Sequence, residues 1–367
     1  MHRDQGDIRR HGGTCDGKCQ PAANEPELVS FDHNAGPVAV DERCRCSATD
    51  LFRTGVPHTV SDALEHAVRI ASELSTPGIG VTQRLWEHLS TLASIDLGIA
   101  RAVEPHLDAC AIFSQADLPQ PGGTWGVFAA EGGSTPVHAI HDESGWVITG
   151  EKPWCSLAGQ LESALVTART IDGPRVFAVD LSDPGVHVLG GTWVARGLVE
   201  IPSGPVSFDQ VRATPVGGPR WYLERDGFWW GGIGVAACWF GGAVGVMRTL
   251  HSAGAANPDP HRSAHLGGLD TLMHACRLAL HDAADAIDSG REVNGPLLAY
   301  RVRGLVARTC EEVISRAGHA LGPAPLALDE AHAKRVSDLQ LYIRQHHAER
   351  DDAAQGSLLA TAQASPW

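Results

Sequence analysis

In the first third of the chain, apolar residues recur at the spacing of an amphipathic helix. Over residues 59–74, Leu64, Ala67, Val68 and Ala71 share one face. Thr59 or Ser61 stands where a cap is needed, and Thr76-Pro77-Gly78 ends the run. Residues 82–95 carry Leu85, Leu89 and Leu92 on one stripe and predict a second helix. A third is predicted over 96–114, kinked or reset at Pro105, whose ring removes a donor and clashes with the preceding turn. From Trp125 the period falls to two. Short runs at 125–130, 164–170, 175–180, 185–189 and 206–211, with Asp142-Glu143-Ser144-Gly145 as a hairpin turn, predict an antiparallel barrel or sandwich. Helical spacing then returns over 227–246, 266–289, 292–319 and 329–355, which predicts a four-helix bundle. The expected fold class is α+β. The expected divisions are a disordered or loosely attached extension at 1–50, a helical domain at 51–120, a β domain at 121–218, a helical bundle at 219–357 and a tail at 358–367.

Composition narrows the classes of function. A hydrophobic share of 43% with 20% charged residues is ordinary for a soluble globular chain. The net charge of −14, with lysine only at 18, 152 and 334, argues against a nucleic-acid partner, which needs a basic stripe. A membrane span needs roughly 18 apolar residues. The nearest approach, residues 227–246, is Gly-rich and reads as a buried helix, so no membrane partner is expected. The first residues lack an apolar signal core, and the expected compartment is the cytoplasm. Cys15, Cys19, Cys44 and Cys46 cluster near the start, but only the first pair has the usual zinc spacing. His265, His274 and His281 lack the carboxylate pair of a bundle metal site, so no metal is expected.

Candidate chemistry concentrates in residues 124–170. A strand leads into the Gly-rich stretch Gly132-Gly133-Ser134. After the hairpin comes Gly150-Glu151-Lys152-Pro153-Trp154-Cys155-Ser156. Trp154 stands just after a turn among small polar residues. It reads as a wall for a flat ligand or as an interface or core anchor. Further upstream, Glu104-Pro105-His106-Leu107-Asp108 is the most polar stretch of the helical domain. There His106 either reaches a pocket or, as the sequence favours, bonds a neighbouring helix.

These segments resemble the acyl-CoA dehydrogenase superfamily of flavoproteins. Ala130-Glu131 and Gly133-Ser134 partly match its Thr-Glu-Pro-x-x-Gly-Ser-Asp loop, while Gly150, Lys152, Trp154 and Ser156 match its Gly-x-Lys-x-Trp-x-Thr segment. The order helical, β, helical over about residues 55–355 is also that of the family. The resemblance implies that Phe128, Ala130, Gly133, Ser134, Trp154 and Ser156 contact a flavin, FAD by default, with FMN or no flavin as alternatives. It implies a homodimer or homotetramer.

Family dehydrogenases place a glutamate eight residues after an Arg-Asp pair, and here the eighth residue after Asp338 is His346. An imidazole can act as a base near neutrality, so His346 is the candidate catalytic residue. The family's Arg-x-x-Phe-Gly clamp on the adenine half of FAD is reduced to Arg262. Three functions follow as expectations. The first is a flavin-dependent dehydrogenase forming an α,β double bond in an acyl thioester such as an acyl-CoA. The second is a flavin monooxygenase on the same fold, supplied by a flavin reductase. The third is a non-catalytic binding or scaffold relative.

Overall fold

Thr59 starts the first helix, α1 (Val60–Leu74), through a capping box. Its hydroxyl accepts from the Asp62 amide, and the Asp62 carboxylate accepts from the Thr59 amide. The computed structural model describes residues 26–32, 50–132 and 135–362. Helix α2 spans Thr82–Ile95, and α3 spans Leu97–Gln115 under an Asp96 cap. Pro105 does not reset the helix, and α3 runs through it as one element. Its neighbours Ala102, Val103, His106 and Leu107 are all buried, and that packing outweighs the one backbone bond the proline removes. Residues 26–32, assigned by the sequence to the loose extension, are tied to α2. Phe31 is fully buried, its amide donates to Glu87 (2.7 Å), and the Val29 amide donates to Thr91 (3.0 Å). Cys15, Cys19, Cys44 and Cys46 lie outside the described residues.

Seven strands follow: β1 (Trp125–Phe128), β2 (His138–Asp142), β3 (Gly145–Lys152), β4 (Ser163–Thr170), β5 (Gly173–Asp180), β6 (Val186–Val188) and β7 (Val206–Val216). Pairing runs β4-β2-β3-β7-β5 and returns to β4, closing a barrel. The sheet is not wholly antiparallel. Strand β1 lies parallel on β4, with Trp125 opposite Ser163, and the β2–β4 closure is parallel at His138 and Arg169. The β2–β3 hairpin lies between β1 and β4 in sequence, so this parallel pair is joined by the long connection that such a pair requires. Phe128, Ile148, Phe177 and Phe208 fill the barrel.

The helical half begins with the short α4 (Trp221–Glu224). It continues with α5 (Asp226–Ala256), α6 (Pro260–Asp288), α7 (Gly295–Leu321), the short α8 (Ala324–Leu328), α9 (Glu330–Tyr342) and α10 (Glu349–Ala360). The expected fourth long helix is therefore broken. After a 3-10 turn at Ile343–Gln345 the chain passes Ala348 at φ +45°, and the Asp351 carboxylate accepts from the His347 amide to start α10. Helix α5 is the axis of this half, packing on α2, α3, α6, α7 and α9. The whole helix is long and apolar enough to cross a membrane, more than the sequence reading allowed for residues 227–246, but 72% of its apolar window is buried inside the molecule, in keeping with the buried-helix reading.

Candidate functional site

Strand β3 reaches the candidate segment through Gly150, at φ +132°. A side chain there would meet the Val137 Cα at 2.8 Å, so glycine is required. Lys152 is 3% exposed. Its ammonium donates to Thr167 (2.9 Å) and faces Glu131 at 3.6 Å, and burial pushes its pKa below the ordinary lysine value. The chain then turns sharply, with Trp154 at φ +60° and Leu157 at φ +59°. The Cys155 amide donates to Gly204 O and the Leu157 amide to Pro202 O, both at 2.9 Å, and the Cys155 thiol donates to Lys152 O. A non-glycine residue in this left-handed region costs roughly 1–2 kcal/mol and persists where its surroundings fix it. The turn leaves the indole of Trp154 62% exposed, edge-on to Trp193 at 6.5 Å. An exposed indole on a turn fixed by backbone hydrogen bonds is a surface on which a planar heterocycle can stack.

The hydroxyl of Ser156 pairs with that of Ser203 (2.8 Å) and accepts from Arg101 Nη2 (3.0 Å). Arg101 comes from α3. Its guanidinium lies over the Tyr342 ring at 5.7 Å, and its other arm faces the Glu104 carboxylate at 3.6 Å. Glu104, with Asp108 one turn further on, lines a cavity of roughly 430 Å3 between α3, α5, α7 and α10. Arg225, Trp229, Tyr300, Arg303 and Asp351 complete its walls. Gly231 makes the room, since a methyl there would stand 2.9 Å from Asp108 Oδ1. Burial pushes the Glu104 carboxyl up to about 7 against the opposing pull of Arg101. Burial raises Asp108 too, with Arg225 at 3.9 Å opposing it.

Trp154 and Ser156 both lie on the turn after β3, the first exposed and the second half-buried against Arg101 and Ser203. Phe128 points into the barrel core at 2% exposure, so its side chain is packing. Ala130 is half-buried, two residues past the end of β1. Gly133 and Ser134 lie outside the described residues. His346 does not line the cavity. Its Nδ1 accepts from the Ala348 amide, its Nε2 faces Asp351 at 3.8 Å, and burial lowers its pKa. The adjacent His347 does line it. His106 is buried in a structural role, accepting from the Trp125 amide at 3.2 Å. Arg262 spends its guanidinium on the carbonyls of Asn257 (2.6 Å), Ala253 and Ala320.

Among the described residues, one carboxylate group has metal-like spacing, Asp96, Glu200 and Asp338. Lys334 Nζ sits among them at 3.0, 2.7 and 2.7 Å, which accounts for the cluster as an ion-pair knot. Arg101 was missed by the sequence reading. Its spacing to Glu104 and Asp108, three and seven residues, is one helical face and was the available signal.

Residues 128–211 match the family profile of the acyl-CoA dehydrogenase middle domain. No match was found among curated protein sequences. Solved structures similar to this one include glutaryl-CoA dehydrogenase from Mycobacterium smegmatis, with TM-score 0.73 and 18% identity, covering 89% of this chain and 97% of that one. PigA, solved with FAD and proline, has TM-score 0.73 and 15% identity, with coverages of 88% and 99%. KijD3, solved with FMN and a dTDP-linked amino keto sugar, has TM-score 0.68 and 17% identity, with coverages of 87% and 92%. The chain has the acyl-CoA dehydrogenase fold, and the resemblance read from Gly150 to Ser156 falls inside the matched middle domain.

Proposed function

We propose that the chain is a flavin-dependent oxidoreductase acting on a compact polar substrate in the cavity beside Arg101. The carrying observation is that one arm of Arg101 bonds Ser156, on the candidate flavin segment, while the other faces Glu104 in the cavity wall. A flavin against Trp154 and a substrate in the cavity would thus be neighbours. The fold and middle-domain match support this reading, as do relatives of the same fold solved with FAD or FMN.

When bound, oxidised flavin supplies a two-electron acceptor. The protein's part is to hold and deprotonate. Trp154 offers a flat wall and Ser156 a hydroxyl at a fixed place. Glu104, shielded from bulk water and lifted to about 7, is the group placed to accept a substrate proton near neutrality. Arg101 steadies the resulting charge. We therefore read the reaction as dehydrogenation, with Glu104 in place of the family glutamate. An acyl thioester fits only with a short, polar acyl part, because a long alkyl chain would bury the charges of Glu104, Asp108 and Arg303 without hydrogen bonds.

A second reading, oxygen insertion with reduced flavin from a reductase, is favoured by His346 at the position of the family glutamate. Assembly as a homodimer or homotetramer belongs to both readings. Anaerobic mixing with candidate substrates separates them. Dehydrogenation predicts bleaching of bound oxidised flavin without oxygen. Oxygen uptake that requires reduced flavin and yields a hydroxylated product would replace the first reading by the second.

A further inference from the structure

We propose that Lys334 is a positioning residue for the candidate flavin turn and acts on it through residues 197–204. The inference rests on the reading of Trp154 and Ser156 as the flavin segment and adds what holds that segment in place. The turn after β3 leans on this loop. Gly204 O accepts from the Cys155 amide, Pro202 O accepts from the Leu157 amide, and the Ser203 hydroxyl pairs with Ser156. Ser203 donates to Ile201 O (3.0 Å) and Arg101 donates to Ser156, so the Ser156 hydrogen is directed to Ser203. At the other end of the loop, Leu198 O accepts from the indole of Trp193 (3.1 Å), the ring that stands edge-on to Trp154. Where residues 197–204 sit therefore decides where the ring and the hydroxyl of the candidate site stand.

Helix α9 sets that place. Gly197 lies so close to it that a side chain there would collide with Ser337 O. Asp338 Oδ1 accepts from the Leu198 amide (2.6 Å) and helps to hold Leu198 at φ +51°. Lys334, one turn earlier on α9, donates to Glu200 in the loop (2.7 Å) and to Asp338 Oδ2 (2.7 Å). It also bonds Asp96, whose carboxylate caps α3 through the Gly98 and Ile99 amides, and α3 carries Arg101. Both partners of Ser156, Arg101 from the helix and Ser203 from the loop, are thus anchored to one ammonium. The three carboxylates have oxygens within 4.8 Å of one another, and Asp338 is buried. Without the cation between them they repel, and a buried carboxylate left unpaired is costly. Glu200 lies outside any helix or strand and is the one the chain can release, taking Ser203 and both carbonyls with it.

Hydrogen exchange of the flavin-free full chain, read by mass spectrometry on peptides covering residues 153–158, tests this. The Cys155 and Leu157 amides in that stretch are the ones bonded to the loop. In Lys334→Met they should exchange about tenfold or more faster, as a local opening does, while peptides from α1 and β5 keep their rates. The milder Glu200→Gln, which removes only the charged bond from loop to Lys334, should exchange about threefold faster. Lys334→Arg keeps the charge and should stay within about twofold of the parent. Circular dichroism verifies folding, and Glu200→Gln decides if Lys334→Met does not fold. Three results would overturn the proposal: an unchanged turn in the deciding variant, acceleration spread equally over all peptides, or Lys334→Arg exchanging as fast as Lys334→Met. An FMN titration of the same variants keeps the two readings apart, with affinity expected to fall in the order in which the turn loosens. A turn loosened by Lys334→Met in a chain that binds no flavin removes the oxidoreductase reading alone. Flavin binding of equal affinity in all variants, with the turn unmoved, removes this inference alone.

Discussion

Glu104 is the residue on which structure and chemistry pull in opposite directions. Its folded pKa, about 7, stands above the ordinary 4.5 because burial disfavours the charge. Its contribution to stability is therefore full below about pH 4.5 and is lost as pH rises through 7. The difference between the two pKa values amounts to about 3 kcal/mol. Glu104→Gln should accordingly raise the melting temperature more at pH 8 than at pH 5, while lowering turnover by roughly a hundredfold or more if Glu104 accepts the proton. Thermal melts at the two pH values check the first part and initial rates the second. A substitution that gains no stability at pH 8 would show that the carboxylate is better satisfied than its neighbours indicate. The family resemblance singled out Trp154 and Ser156 because one short local motif carries both. The sequence reading singled out the stretch from Glu104 to Asp108 as polar and favoured a structural, bonded His106, whose ring accepts from the Trp125 amide, but it gave Glu104 and Asp108 no role of their own. Which face of a helix meets a cavity depends on partners far away in the chain, and periodicity alone does not name them.

The elements were legible where their patterns are local. Capped helices and alternating strands appear close to where the hydrophobic period put them. Three departures have physical causes. The packing of α3 outweighs Pro105, the long connection between β1 and β4 allows a parallel pair, and the Asp351 cap with Ala348 at positive φ breaks the last helix. The glycines of α5, spaced for close helix contact, illustrate the reverse case, a local pattern with a distant meaning. A methyl on Gly241 would stand 2.7 Å from Ser90 Cα and 2.8 Å from Ala93 Cβ, both on α2. Gly241→Val should therefore force α2 and α5 apart and destabilise by about 1–3 kcal/mol, as overpacked cores do. Urea unfolding measures it. An unchanged midpoint would mean that the two helices slide without cost.

At the scale of the whole molecule, the site exists because three regions meet. Lys334 on α9 joins Asp96 at the head of α3 to Glu200 before β7, with Asp338 donating no proton but accepting from both Lys334 and the Leu198 amide. Arg101 spans the same junction from helix to barrel. Long-range convergence of this kind is the part the sequence could not display, although Gly150, Lys152, Trp154 and Ser156 did point to the fold and to a candidate flavin segment. The central claim is that this junction holds a flavin. Since Arg262 is occupied by carbonyls, the ring-bearing half should carry the affinity, and FAD and FMN should bind within about tenfold of each other, a difference near 1.4 kcal/mol. The most direct measurement is a titration of the purified chain with each oxidised flavin, read by visible absorbance and by quenching of tryptophan emission, and repeated on Trp154→Ala. The account predicts saturable binding of both, weakened by about tenfold or more in the variant, in keeping with the loss of a stacked aromatic wall. Absence of binding by FAD and FMN, oxidised or reduced, or binding indifferent to Trp154, would contradict it.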